Sequence, residues 1–132
     1  MSSNAQILVA EDNDFVRMQI VKFLQDDGYE VKEAIDGNTA IQVVENENID
    51  FCVVDVRMEP LNGFDFIRSI RGRGMDTPII LVTGDDASDI LETAGEWGVS
   101  AVLIKPVEKE RLLKAVERGL RSAQKRTNND AF

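Results

Sequence analysis

The chain has 132 residues, 43% of them hydrophobic and 30% charged, with 24 acids against 15 bases. That size and balance predict one domain with a full hydrophobic core, and the net charge of −9 argues against the basic surface that nucleic-acid binding requires. No apolar stretch approaches transmembrane length, the start of the chain is polar rather than leader-like, and a lone Cys permits no intrachain disulfide, so a reducing cytoplasm is the expected compartment.

Short apolar runs alternate along the chain with longer segments of helix spacing. Predicted strands centre on residues 6–10, 30–34, 50–54, 78–82 and 100–104. Four of them lack strict polar alternation, as expected of strands covered on both faces. The second is more polar and reads as lying near a sheet edge. Predicted helices fall at 15–25, 39–45, 64–70, 88–97 and 108–120. In the first, Phe15, Met18, Val21, Phe23 and Leu24 form the apolar stripe, and Gly28 follows as the stop. In the fourth, Ile90, Leu91 and Ala94 do so, with Gly98 as the stop. Acids at the start of the fifth (Glu108, Glu110) and bases toward its end (Arg118, Arg121) suit the helix dipole. Strict alternation of strand and helix predicts a parallel sheet with helices on both faces and right-handed crossovers. The domain is expected to span 1–121, and the polar, non-periodic 122–132 to be a frayed tail in which Lys125-Arg126 is solvated.

Chemistry concentrates where the strands end. Ile7-Leu8-Val9-Ala10 runs into Glu11-Asp12, Phe51-Cys52-Val53-Val54 into Asp55, Ile79-Ile80-Leu81-Val82 into Thr83, and Ala101-Val102-Leu103-Ile104 into Lys105-Pro106. Ligand sites of open α/β sheets lie at the carboxyl ends of the strands, so these residues should converge on one pocket. Unit charges ~4 Å apart repel by about 4 kcal/mol at a surface-like dielectric. Three carboxylates together therefore call for a cation, and Mg²⁺ suits an oxygen set that leaves room for water and phosphate. An acid at the end of an apolar strand, facing a cation and an amine, can act as a nucleophile toward phosphorus. Thr83 and the Gly84 N–H could donate to a phosphoryl oxygen, and Lys105 stays charged opposite the acids. Pro106 permits a cis peptide bond. Taken singly, each station has a plainer reading: a helix cap at Asp12-Asn13-Asp14, a strand-ending Asp or Thr, a surface Lys before a helix-starting Pro. Cys52 reads as a buried small hydrophobe, since a catalytic thiol needs an accessible, electropositive setting. Trp97 is either a half-buried packing residue or a partner anchor.

Taken together, Glu11-Asp12-Asn13 after the first run, Ala34-Ile35-Asp36-Gly37, Val54-Asp55-Val56-Arg57-Met58 with Gly63 eight past the Asp, Val82-Thr83-Gly84 and Leu103-Ile104-Lys105-Pro106 resemble the receiver domain of two-component response regulators over about residues 5–121. The resemblance implies a doubly wound, flavodoxin-like α/β fold with five parallel strands in the order 2-1-3-4-5 and five flanking helices. It also implies a phosphoacceptor signalling protein rather than an enzyme in the ordinary sense, one that catalyses only its own phosphorylation and dephosphorylation. Asp55 would take a phosphoryl group from a sensor histidine kinase or histidine phosphotransfer protein. Glu11, Asp12, Asp55 and the Arg57 backbone carbonyl would hold Mg²⁺, and Thr83 and Lys105 would contact the phosphoryl group. The readout would be a protein-interaction face made by the fourth helix, fifth strand and fifth helix, acting on a downstream protein, in a monomer with a phosphorylation-dependent dimer.

Three positions depart from the family pattern. Glu59 stands where Pro is usual, with Pro60 one later. Val102 stands where an aromatic rotamer switch is common, so a ring flip cannot be the readout. Arg57 lies at the pocket mouth. The alternative is a degenerate receiver that binds partners without phosphorylation. Two other classes fit less well. A phosphohydrolase needs a second acid two residues past the nucleophile, where Arg57 stands, and a flavin carrier needs a phosphate-cradling loop where Glu11-Asp12-Asn13-Asp14 would repel phosphate.

Overall fold

The computed structural model describes residues 5–84 and 88–130, with side chains throughout except at 88, 89 and 125–130. The elements alternate as expected: β1 (Gln6–Ala10), α1 (Asp14–Asp26), β2 (Glu30–Ala34), α2 (Gly37–Asn46), β3 (Phe51–Asp55), α3 (Gly63–Gly72), β4 (Ile79–Thr83), α4 (Ser88–Glu96), β5 (Ala101–Ile104) and α5 (Lys109–Asp130). The strands form one parallel sheet in the order β2-β1-β3-β4-β5.

Period-2 geometry splits the central strands between two cores. Leu8, Ala10, Cys52, Val54, Ile79 and Leu81 face one, closed by Ala40 and Val44 of α2, Phe66, Ile67 and Ile70 of α3, and Ala94 of α4. Ile7, Val9, Phe51, Val53, Ile80 and Val82 face the other, closed by Ile20, Val21 and Leu24 of α1 and by Leu112 and Val116 of α5. This two-sided burial explains why β1, β3 and β4 read as continuous apolar runs. β2 is an edge strand, exposed along most of its length. Gly28 and Gly98 follow α1 and α4 with φ of +92° and +69°, the left-handed conformation expected of helix stops.

Three expectations are corrected. Phe15 and Met18 are not on the buried stripe of α1: they are 85% and 62% exposed, and Ile20, Val21 and Leu24 carry the packing with Val16 and Phe23 beside them. Similarly, Leu91 of α4 is 59% exposed, leaving Ile90 and Ala94 on the core. In both helices several apolar residues compete for one face, and spacing alone does not say which set faces the sheet. Finally, α5 does not stop near Leu120 but continues through Ser122 to Asp130. Apolar periodicity ends there, yet Arg121, Ala123 and Gln124 are good helix formers and no Gly or Pro intervenes, so nothing in the sequence stops the helix at Leu120. The Lys125-Arg126 side chains lie outside those described.

α2 and α3 also start earlier than their apolar spacing suggests, because capping sets the boundary. Asp36 accepts the Thr39 N–H at 2.8 Å. Asn62 and Asp65 form a reciprocal capping box, with the Asp65 N–H bonded to Asn62 at 2.9 Å. Trp97 and Val102 are half-buried against the α2–α3–α4 core, and Arg71 ties α3 to the end of α4 through a 3.0 Å bond to the Trp97 carbonyl.

Candidate functional site

Strand register brings the site together. Ala10 pairs with Val54, and Asp55 with Val82, so Glu11 and Asp55 leave neighbouring strands side by side. Thr83 pairs with Ile104, and Lys105 follows with its N–H bonded to the Thr83 carbonyl at 2.8 Å. The Lys105-Pro106 peptide is cis, as is Glu59-Pro60. The loop after Asp55 is tied down at both ends. Val56 donates to the Val82 carbonyl at 3.0 Å, Gly63 to Val56 at 3.0 Å, and Gly37 to Leu61 at 3.2 Å. Gly63 passes so close that a Cβ there would stand 2.5 Å from the Asp55 carbonyl oxygen, which is why the position eight past the Asp has no side chain.

Glu11, Asp55 and Thr83 are buried, at 1%, 4% and 1% exposure, while Asp12 is exposed. The Lys105 ammonium lies 3.1 Å from Glu11 Oε1 and 3.4 Å from Asp55 Oδ2. Asp55 Oδ1 accepts the Arg57 N–H at 3.3 Å, and Glu11 Oε2 accepts the Asn13 N–H at 3.1 Å. Burial, with the Asp55 charge adding to it, pushes the Glu11 carboxyl up to about 7, although the Asn13 N–H and Lys105 act the other way. Burial works against the Lys105 ammonium, yet Glu11 and Asp55 more than offset it, so its pKa is raised and the charge is retained.

All the strand-end residues expected from the sequence therefore meet at one end of the sheet. Between Asp12 and the loop after Asp55 opens a cleft of about 420 Å³ lined by Asp12, Val56, Arg57, Met58, Glu59 and Asn62. A comparable depression of about 440 Å³ lies at the start of α5 among Glu108, Lys109, Glu110, Arg111 and Lys114, but none of the residues that line it is a buried polar group. The acids also suit a hard cation. Glu11, Asp12 and Asp55 place ligand oxygens within 4.8 Å of one another. Glu11 Oε1 is buried and accepts no hydrogen bond from a backbone group among the described residues, the Lys105 ammonium standing 3.1 Å away as its ion-pair partner. A divalent ion bound by oxygen would satisfy both features.

The cap and the acidic pair prove to be one structure. Asn13, not Asp12, caps α1 by accepting the Val16 N–H at 3.0 Å, which leaves Asp12 free to face the cleft. Arg17 carries no signal in the sequence that would single it out. It sits on α1 away from any strand end, and its role shows only in its bonds to Glu11, Asp14 and Glu33.

The family profile of the response regulator receiver domain matches residues 7–117. The chain belongs to that family. Receiver domains are signalling modules of two-component systems. This one is 34% identical to the transcriptional regulatory protein PdtaR of Mycobacterium tuberculosis, over 85% of this chain and 55% of that protein. It is 33% identical to the chemotaxis protein CheY of Pseudomonas aeruginosa, over 86% of this chain and 97% of that protein. The receiver thus spans about half the first relative and nearly all of the second. Among solved structures, the chemotaxis protein CheY4 of Vibrio cholerae superposes with a TM-score of 0.83 at 30% identity, covering 89% of this chain and 99% of that one. Among the described residues no helix of this receiver is long and apolar enough to cross a membrane.

Proposed function

We propose that this receiver is a phosphorylation switch in which Asp55 accepts a phosphoryl group from the phosphohistidine of a sensor kinase or a histidine phosphotransfer protein in the cytoplasm. The observation that carries this reading is the convergence of Glu11, Asp55 and Lys105 within ion-pair distance at one sheet end. A carboxylate oxygen of Asp55 attacks phosphorus; the new P–O bond forms as the P–N bond breaks, and the imidazole leaves. Glu11, Asp12, Asp55 and the Arg57 carbonyl would hold Mg²⁺, which when bound neutralises charge on the transferring group. Lys105 would supply the second fixed positive charge, and the hydroxyl of Thr83, buried at the end of β4, would donate to a phosphoryl oxygen. Burial of the nucleophile limits hydration and keeps these charges effective.

The output reading rests on the α4–β5–α5 side, where Leu91 and Ile104 are exposed at 59% and 49%. A partner protein docking there would bury both. With Val102 in the strand beneath, the signal travels by a shift of backbone and helix rather than by a ring flip.

Intact mass after incubation with acetyl phosphate tests the acceptor. The expected result is one Mg²⁺-dependent phosphate adduct on the wild type and none on Asp55→Asn. No adduct on the wild type, in an assay where another receiver gains one, would instead support a phosphorylation-independent binding module.

A further inference from the structure

We infer that Arg17 is a positioning residue for the cation site: its guanidinium holds the Glu11-Asp12 corner in the pose that coordinates the ion. The inference rests on the Mg²⁺ reading proposed above.

The geometry is that of a fork with three prongs. One terminal nitrogen donates to the Glu11 backbone carbonyl at 2.9 Å, Nε to Glu33 Oε1 at 3.0 Å, and the other terminal nitrogen to Asp14 Oδ1 at 2.6 Å. The Arg17 side chain is only 13% exposed, whereas Asp14 and Glu33 are 75% and 50% exposed, so the arginine is the buried member of the set. It joins three elements: the end of β1, the first turn of α1 and the edge strand β2.

Other groups of this corner are tied as well. The Glu11 N–H donates to the Ala34 carbonyl at 3.0 Å, Glu11 Oε2 takes the Asn13 N–H, and Asn13 caps α1. The Glu11 carbonyl begins the peptide unit that leads to Asp12. Arg17 fixes that peptide from one side and Asn13 holds the chain on the other. Among the described residues the Asp12 side chain has no such anchor; its position follows from the backbone on either side of it.

Charge and geometry predict opposite effects here, which makes the inference testable. If Arg17 acted only as a nearby positive charge, removing it would tighten Mg²⁺ binding. Asp14 and Glu33 already offset that charge, so the lost hydrogen bond to Glu11 dominates and binding weakens. Groups that orient metal ligands typically change affinity by about 10–100-fold when removed. Arg17 acts on the ligands' backbone rather than on a ligand oxygen, so the expected loss is at the low end, about tenfold. The Arg17→Lys change would not preserve the corner, because one ammonium cannot reach three acceptors in fixed directions.

The experiment is titration calorimetry with MgCl₂ on the full chain, for wild type, Arg17→Met and Arg17→Lys, paired with acetyl phosphate phosphorylation rates across a Mg²⁺ series. Arg17→Met should raise the Mg²⁺ dissociation constant about tenfold and raise the Mg²⁺ concentration that gives half-maximal rate by a similar factor, and Arg17→Lys should bind more weakly than wild type despite its retained charge. Unchanged or tighter binding in the variants, even with a lowered melting temperature, would overturn the inference and reduce Arg17 to a fold-stabilising ion pair. If Arg17→Met gives no cooperative melt, Arg17→Lys decides by the same criterion. A wild type that binds no Mg²⁺ would instead fail the cation reading itself, and this inference with it.

Discussion

Glu11 sits at 1% exposure beside a second buried acid, with one ammonium between them. Its pKa, raised from the ordinary 4.5 to about 7 chiefly by burial, has a signed consequence for the metal-free protein. Between those two pH values the folded state keeps a proton that the unfolded chain has released. The contribution of Glu11 to stability is therefore fully present below about 4.5 and is lost as pH rises through about 7. In EDTA, the urea midpoint of the wild type should fall relative to Glu11→Gln as pH goes from about 5 to about 7; parallel midpoints for the two proteins would show that Glu11 titrates normally. Adding Mg²⁺ should reverse the trend, because coordination needs the carboxylate. Cys52 behaves in the opposite way to a site residue. Fully buried, its thiol is pushed up to about 12, which makes it inert and agrees with its reading as a small core hydrophobe.

At the scale of elements, the approach of α5 to the sheet depends on Gly119, which the apolar spacing of that helix does not mark. A Cβ at Gly119 would lie 2.3 Å from Cε2 and 2.8 Å from Cζ of Phe51, whose ring is fully buried in β3. Alanine gains about 1 kcal/mol in helix propensity over glycine, but overpacking a rigid core costs roughly 1–3 kcal/mol. Gly119→Ala should therefore destabilise the fold by about 1 kcal/mol in urea unfolding; a stabilised variant would mean that propensity outweighs the contact. The same helix shows what was legible. The strands could be read because two-sided burial writes an unbroken apolar run into the sequence. Helix existence could be read from spacing and Gly stops. Which apolar residues of α1 and α4 face the core, and where α5 ends, could not, since Phe15, Met18 and Leu91 fit a stripe as well as their buried neighbours do.

For the whole molecule, exposed apolar residues lie on more than one face, at Phe15 and Met18 of α1 and at Leu91 and Ile104. Among the described side chains of α4, Ala94 alone is fully buried and Leu91 is left outside, and Ile104 at the end of β5 is exposed as well. A net charge of −9 opposes association of copies, so the unmodified receiver should be a monomer, with pairing through α4–β5–α5 dependent on phosphorylation. Sedimentation velocity with and without beryllofluoride as phosphoryl mimic should show a doubled mass only with the mimic. The same mass in both would reject the dimer while leaving the phosphoacceptor reading intact. α5 adds a second feature at this scale. Its 22 residues span about 33 Å at 1.5 Å per residue, far beyond the five-residue strands it covers.

By itself the sequence determined the alternation of elements, the parallel sheet and the identity of the strand-end acids, hydroxyl and amine. Those follow from local rules: burial on both faces makes strands apolar, and a polar residue ending such a strand must emerge at the sheet's edge. The strand order came from resemblance, because no local pattern records which strand lies beside which. Only the tertiary structure decided that Asn13 rather than Asp12 caps α1, that Glu11 has a buried oxygen without a backbone hydrogen bond, and that Arg17 reaches the Glu11 carbonyl and Glu33 at once. The cap depends on the local backbone direction where the loop enters α1 and the other two on distances between groups of different elements, and spacing along the chain encodes neither.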